Sequence, residues 1–155
     1  MPDALQNFFA NAIPNAVSDL LAAFDRLPED KRNWSPMGDA RTAVDQIAEV
    51  AIQNGSTADI IRTGSFPENY DFSEFAQLKK TLSGKNLDEL KEILQANSSK
   101  VVAAILEIPD EDLTIEVQMP WGAMTMPQIM AYPYWNTIYH EGQINYIASM
   151  LGCLK

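Results

Sequence analysis

The sequence is short of several things, and each shortage excludes something. Among 155 residues there is one cysteine, Cys153, so no intramolecular disulfide can form and a cytoplasmic setting is the default expectation. Cys153 also lies close to the C-terminus with no base near it in sequence, which argues against a catalytic thiol. Basic residues are few: 11 Lys+Arg stand against 21 Asp+Glu, a formal net charge of −10. Nucleic-acid binding relies on clustered basic groups that neutralise phosphates, and no such cluster occurs. The same charge disfavours anionic membranes and reads most simply as solubility. Long apolar runs are missing; residues 101–106 form one of the longest, far below the roughly 20 needed to span a bilayer. No basic segment leads into an apolar stretch at the start, so no secretory signal is expected. A phosphate-cradling glycine loop, a hydroxyl-nucleophile motif and a paired-cysteine metal motif are all lacking. Histidine occurs once, at His140.

What is present is an ordinary globular composition, 46% hydrophobic and 21% charged, in a chain sized for one domain over residues 1–155. Apolar positions recur at helical spacing, which predicts four long helices near residues 3–27, 40–62, 87–107 and 126–151, with a shorter one near 73–80. Pro14 should kink or split the first. Gly64 and Gly152 supply stops, and Thr125 with Pro127 supplies a start for the last. The stretch Thr114-Ile115-Glu116-Val117-Gln118 alternates and precedes a Pro120-Trp121-Gly122 turn, the pattern of a small hairpin. The fold class is therefore all-α: an antiparallel four-helix bundle with a small β-hairpin before the last helix.

The last helix carries the unusual feature. Its inward stripe reads Ile129, Tyr132, Asn136, His140, Gln143, Ile147 and Leu151, with three consecutive polar members among apolar ones. Burying two amides and an imidazole costs free energy unless each finds a partner. A metal, a polar ligand and a hydrogen-bond network are the candidates. His140 reads as a hydrogen-bonded packing residue or as a functional one, and Asn136 could fix its tautomer without any ion. Gly142 and Gln143 read as structural, the glycine for close helix approach and the glutamine for bonding backbone at a loop. The aromatics Tyr132, Tyr134, Trp135, Tyr139 and Tyr146 read mainly as core and interface, with one or two at a pocket mouth. Pro133 should bend the helix just before the polar cluster.

The layout resembles the DinB-like (YfiT-like) superfamily. Trp34-Ser35-Pro36 before the second long helix, the hairpin before the last, and His140-Glu141-Gly142-Gln143 carry the resemblance, which covers nearly the whole chain. It implies a three-histidine metal site, one ligand from the second long helix and a His-x-x-x-His pair from the last. Activities in the family include thiol S-transferases acting with bacillithiol and a maleylpyruvate isomerase acting with mycothiol.

This sequence departs from that pattern at two of the three positions. His140 matches the second histidine of the pair, Asn136 stands where the first would be, and the resemblance places Glu49 at the helix-two position. Asp45, Glu49, Gln53 and Ser56 also form a polar stripe of the kind a solvated face shows. Zinc and nickel favour imidazole and thiolate over a neutral amide, whereas manganese, magnesium or calcium accept oxygen donors. The resulting expectation is a degenerate centre of Glu49, Asn136 and His140, with no metal or a weakly bound zinc, nickel or manganese. Gln53, Tyr132, Tyr139 and Gln143 would line the pocket. The function expected is small-molecule binding or a stress-related role. The alternative is a metal-dependent enzyme of the thiol S-transferase or hydrolase kind. A two-fold homodimer joined through a helical face is the expected assembly.

Overall fold

The computed structural model describes residues 3–154. α1 (Ala4–Asp25) starts on a capping box in which Asp3 accepts from the Gln6 backbone and Gln6 Oε1 accepts from the Asp3 N–H. It runs through Pro14 without interruption, so the expected split does not occur; Pro14 lies on the solvent side. α2 (Ala43–Thr63) starts on Thr42, whose hydroxyl accepts from Asp45 N–H, and stops at Gly64, which takes a left-handed conformation. α3 (Phe72–Ser83) buries only Leu82. α4 (Leu87–Glu107), capped by Asn86, is followed by a short 3₁₀ turn at Asp110–Thr114. Strands β1 (Glu116–Met119) and β2 (Gly122–Thr125) pair antiparallel, Val117 opposite Met124. α5 (Met126–Met150) follows at once, with Pro127 in its first turn and Thr125 N–H donating to Gln128 Oε1.

Four of the helices form a ring in which α1 packs on α5 and α4, and α2 on α4 and α5. α1 opposes α4: Gln6 bonds the carbonyls of Ile105 and Ile108 near one end, while Asp25 pairs with Lys91 at the other. α2 likewise opposes α5, with Gln46 beside His140 and Ile60 near Ile129. α2 and α4 lie side by side in the same direction, Ala51 and Asn54 meeting Asn97 and Ser98, because the 64–86 connection carries the chain back between them. α3 rides on the outer side of α2 within that connection. The core is a continuous apolar cluster including Ile13, Leu20, Phe24, Ile47, Leu94, Ile105, Met130 and Ile144. Among the described residues, no helix is long and apolar enough to cross a membrane.

Candidate functional site

α2 and α5 bring their polar residues together at one level of the bundle. Glu49 lies one helical turn beyond Asp45 on α2, and His140 lies one turn beyond Asn136 on α5. His140 is almost wholly buried, and its Nε2 stands 3.2 Å from Glu49 Oε1. On the other side of the ring, Nδ1 lies 3.1 Å from Gln46 Oε1 and 3.2 Å from Gln143 Oε1. Gln46 Nε2 donates to the Arg41 carbonyl at 3.4 Å, which turns its oxygen toward the imidazole. An amide oxygen and an ionised carboxylate can only accept. Both ring nitrogens of His140 thus face oxygen acceptors.

A cation covers the far side of the carboxylate. Arg41, just before the Thr42 cap, places Nη2 2.5 Å from Glu49 Oε2 and Nε 2.7 Å from Asp45 Oδ2. Lys79 of α3 reaches the same two side chains, at 3.4 Å from Asp45 Oδ1 and 3.6 Å from Glu49 Oε2. Burial by itself would raise the Glu49 pKa, but hydrogen bonds from His140 and Arg41, with their charges, pull it down to about 2. Burial would lower the Arg41 pKa, yet its bonds to Asp45 and Glu49 outweigh that and raise it. Tyr132 is pushed up by burial and by the nearby Glu49 charge, which places its ring within electrostatic reach of the centre.

The other residues singled out in the sequence are distributed around this network. Asn136 is buried and its Nδ2 has no hydrogen-bond partner. Gln143 bonds the imidazole rather than loop backbone. Gly142 faces open space, so the close helix approach expected there is absent among the described residues. The four expected pocket residues divide between two depressions. Gln53 and Tyr132 line a cavity of about 100 Å³ under the hairpin and α3, whereas Tyr139 and Gln143 line a shallower groove with Arg41 and Gln46. Cys153 donates weakly to the Ala148 carbonyl. Arg41, Gln46 and Lys79 escaped the sequence reading. For Arg41 a signal existed, since a basic residue stands four and eight places before the acidic Asp45 and Glu49, the spacing of a helix-face ion pair.

The cavity has two unlike walls. α2 contributes Gln53, Ser56 and Thr57, with Tyr132 from α5 alongside. Opposite stand Phe66, Tyr70, Phe72 and Phe75 and, from the hairpin turn, Trp121. Phe66 contacts Tyr70 at 4.9 Å between ring centroids and Trp121 at 6.3 Å in an edge-on arrangement. Among the described residues, none that lines this space is charged.

Several solved structures share the architecture. The mycothiol-dependent maleylpyruvate isomerase aligns over 90% of this chain with a TM-score of 0.74 at 14% identity, and the chain spans 60% of that protein's length. An uncharacterised protein from Escherichia coli UTI89 aligns over 96% of this chain and 95% of its own, with a TM-score of 0.71 and 17% identity. One from Clostridium difficile 630 gives 97%, 99%, 0.72 and 15% for the same quantities. This chain has the DinB-like fold. No family model matches the sequence, and no curated protein does.

The metal centre that the DinB-like resemblance implies can be tested against the donors. Among the described residues, no group of three His, Cys, Asp or Glu side chains converges as a metal site would require. Of the expected three, one is an amide, one is a carboxylate engaged by Arg41 and Lys79, and one is an imidazole with both nitrogens facing acceptors. A divalent ion beside Glu49 would meet two cations, and near a protein surface each pair of unit charges about 4 Å apart costs about 4 kcal/mol. The residues of this DinB-like bundle do not fit a catalytic zinc or nickel centre.

Proposed function

We propose that this protein binds a small, uncharged, largely apolar molecule in the aromatic cavity beside the Glu49–His140 centre, with zinc, nickel or manganese absent or weakly held. The cavity carries this reading. Aromatic faces supply contact area at small entropic cost, and a few convergent polar groups fix orientation. An ionised ligand would be desolvated there without a counter-charge, which is costly. The hydroxyls of Ser56, Thr57 and Tyr132 and the Gln53 amide would receive one polar edge of the ligand, the rest stacking on Phe66 and Trp121.

Trp121 provides the test. In a W34F/W135F background it is the sole tryptophan, and saturable quenching by neutral aromatic probes, with carboxylated analogues at least about tenfold weaker, is expected. Thr57→Phe should fill the cavity and abolish the response without adding a second fluorophore. Quenching that is equal for charged and neutral probes, or unaffected by T57F, would reject this reading.

The likeness to a mycothiol-dependent enzyme supports a second one: a metal-dependent enzyme of the thiol S-transferase or hydrolase kind, with Glu49 and His140 as ligands or as base and orienter. Elemental analysis of protein prepared without a histidine tag decides between them, because one equivalent of zinc, nickel or manganese would favour the enzyme. The protein is further proposed to act as a homodimer. The exposed stripe of Trp135, Tyr139 and Tyr146 on α5 is uncharged, and on so acidic a chain a neutral patch minimises repulsion between copies.

A further inference from the structure

The centre between α2 and α5 has a cation of its own. Arg41 bonds Glu49 and Asp45 together, Lys79 approaches the same two carboxylates from α3, and the sole imidazole completes the arrangement from α5. Two positive side chains thus balance two negative ones without any ion. We propose that the Arg41 guanidinium is the resident cation of this centre, holding the charge position that a divalent metal would need and closing the site against it. This stands whether or not the aromatic cavity takes a ligand, so the two can fail separately.

Three observations support it. Among the described residues Glu49 is the one carboxylate bonded to His140, and its second oxygen is held by Arg41. His140 Nδ1 is directed at Gln46, which is anchored on the Arg41 backbone carbonyl, so the residue whose guanidinium holds Glu49 also carries, through its main chain, the anchor of the ring's other partner. The Asn136 amide nitrogen, buried and unpartnered on the same face of α5, is a donor group that would repel a metal and does not compete with the guanidinium for Glu49. A consequence is that metal affinity is latent. Removing the guanidinium leaves Glu49, beside the imidazole, and Asp45, one turn away, with Lys79 as their one remaining cation, and Asn136→His adds a second imidazole one turn from the first.

Competitive zinc titration against a chelating dye tests this with N136H, R41A, N136H/R41A and the parent protein. The parent should hold no zinc at tens of micromolar, and N136H alone should gain little. N136H/R41A should bind at least about tenfold more tightly than N136H, and adding E49A should remove the gain. Equal affinities of N136H and N136H/R41A would overturn the role of Arg41. R41K, which keeps the charge, should behave as the parent, and R41Q replaces R41A should the latter fail to fold. The parent protein gives an independent readout, since its only histidine yields a single imidazole in long-range proton–nitrogen spectra. One equivalent of zinc should leave both ring-nitrogen resonances in place, and a saturating shift of Nε2 would refute the proposal.

Discussion

Glu49 joins most of the electrostatics of this molecule in one side chain. It accepts from His140 and Arg41 and lies near Lys79, and its acidity follows from those partners prevailing over burial. A carboxyl whose folded pKa lies below its ordinary value contributes stability that is fully present above the ordinary value and is lost as pH falls through the folded one. For Glu49 that window runs from about 4.5 down to about 2. After allowance for solvent screening the contribution is roughly 2 kcal/mol. Denaturant unfolding of the parent should therefore weaken across this range, and Glu49→Gln should flatten that part of the profile while lowering stability at neutral pH. An unchanged acid limb in E49Q would mean that the network contributes nothing to the folded state.

At the scale of elements, α2 is the member on which the rest depends. One face meets α5 and carries Gln46 and Glu49, another meets α4, and α3 rides on its outside. The α2–α4 contact is unusually close at Gly55, where an added Cβ would stand 3.0 Å from the Asn97 amide nitrogen. That amide is already committed to the Ala51 carbonyl at 2.8 Å, and Asn54 bonds Ser98 at 2.9 Å one turn along. Gly55→Val should force Asn97 out of its bond and lower stability by about 1–3 kcal/mol, measured by chemical denaturation. The gain in helix propensity from losing a glycine works in the opposite sense, so a stabilised variant would show that the interface relaxes freely. Because α2 supplies the centre, the same substitution is also expected to loosen the Glu49–His140 contact.

For the whole molecule, the uneven distribution of exposed groups is the informative feature. A chain with a net charge of −10 leaves Trp135, Tyr139 and Tyr146 between 51% and 69% exposed along one helix. Two copies related by a two-fold axis would bury this stripe against itself with little charge repulsion, and small contiguous apolar surfaces of this kind often mark contacts. Light scattering at tens of micromolar should give twice the monomer mass, and a Trp135→Glu/Tyr146→Glu variant should give the monomer. A monomer mass for the parent at that concentration rules the dimer out.

The helices, their order and the hairpin were legible because they depend on local signals. Apolar periodicity, the Thr125 and Gly64 boundary residues and the Pro120-Trp121-Gly122 turn each act within a few residues of themselves. Pro14 is the local signal that misled: on the solvent side, α1 continues past it, so no break was needed. The polar stripe of α5 was legible for the same reason, and Glu49 was picked out by resemblance to a family segment. What only the tertiary structure decided are the partners. Gln6 reaches the carbonyls at the end of α4 across more than 95 residues of chain, and Gln46 and Glu49 meet His140 across more than 90. The aromatic cavity is assembled from a loop, α3 and a hairpin turn that share no sequence pattern. Above all, a sequence reports which side chain occupies a position but not what compensates the charge there. Arg41 folds its guanidinium over the first turns of α2, where the Asp45 and Glu49 carboxylates, four and eight residues on, make the pairing favourable.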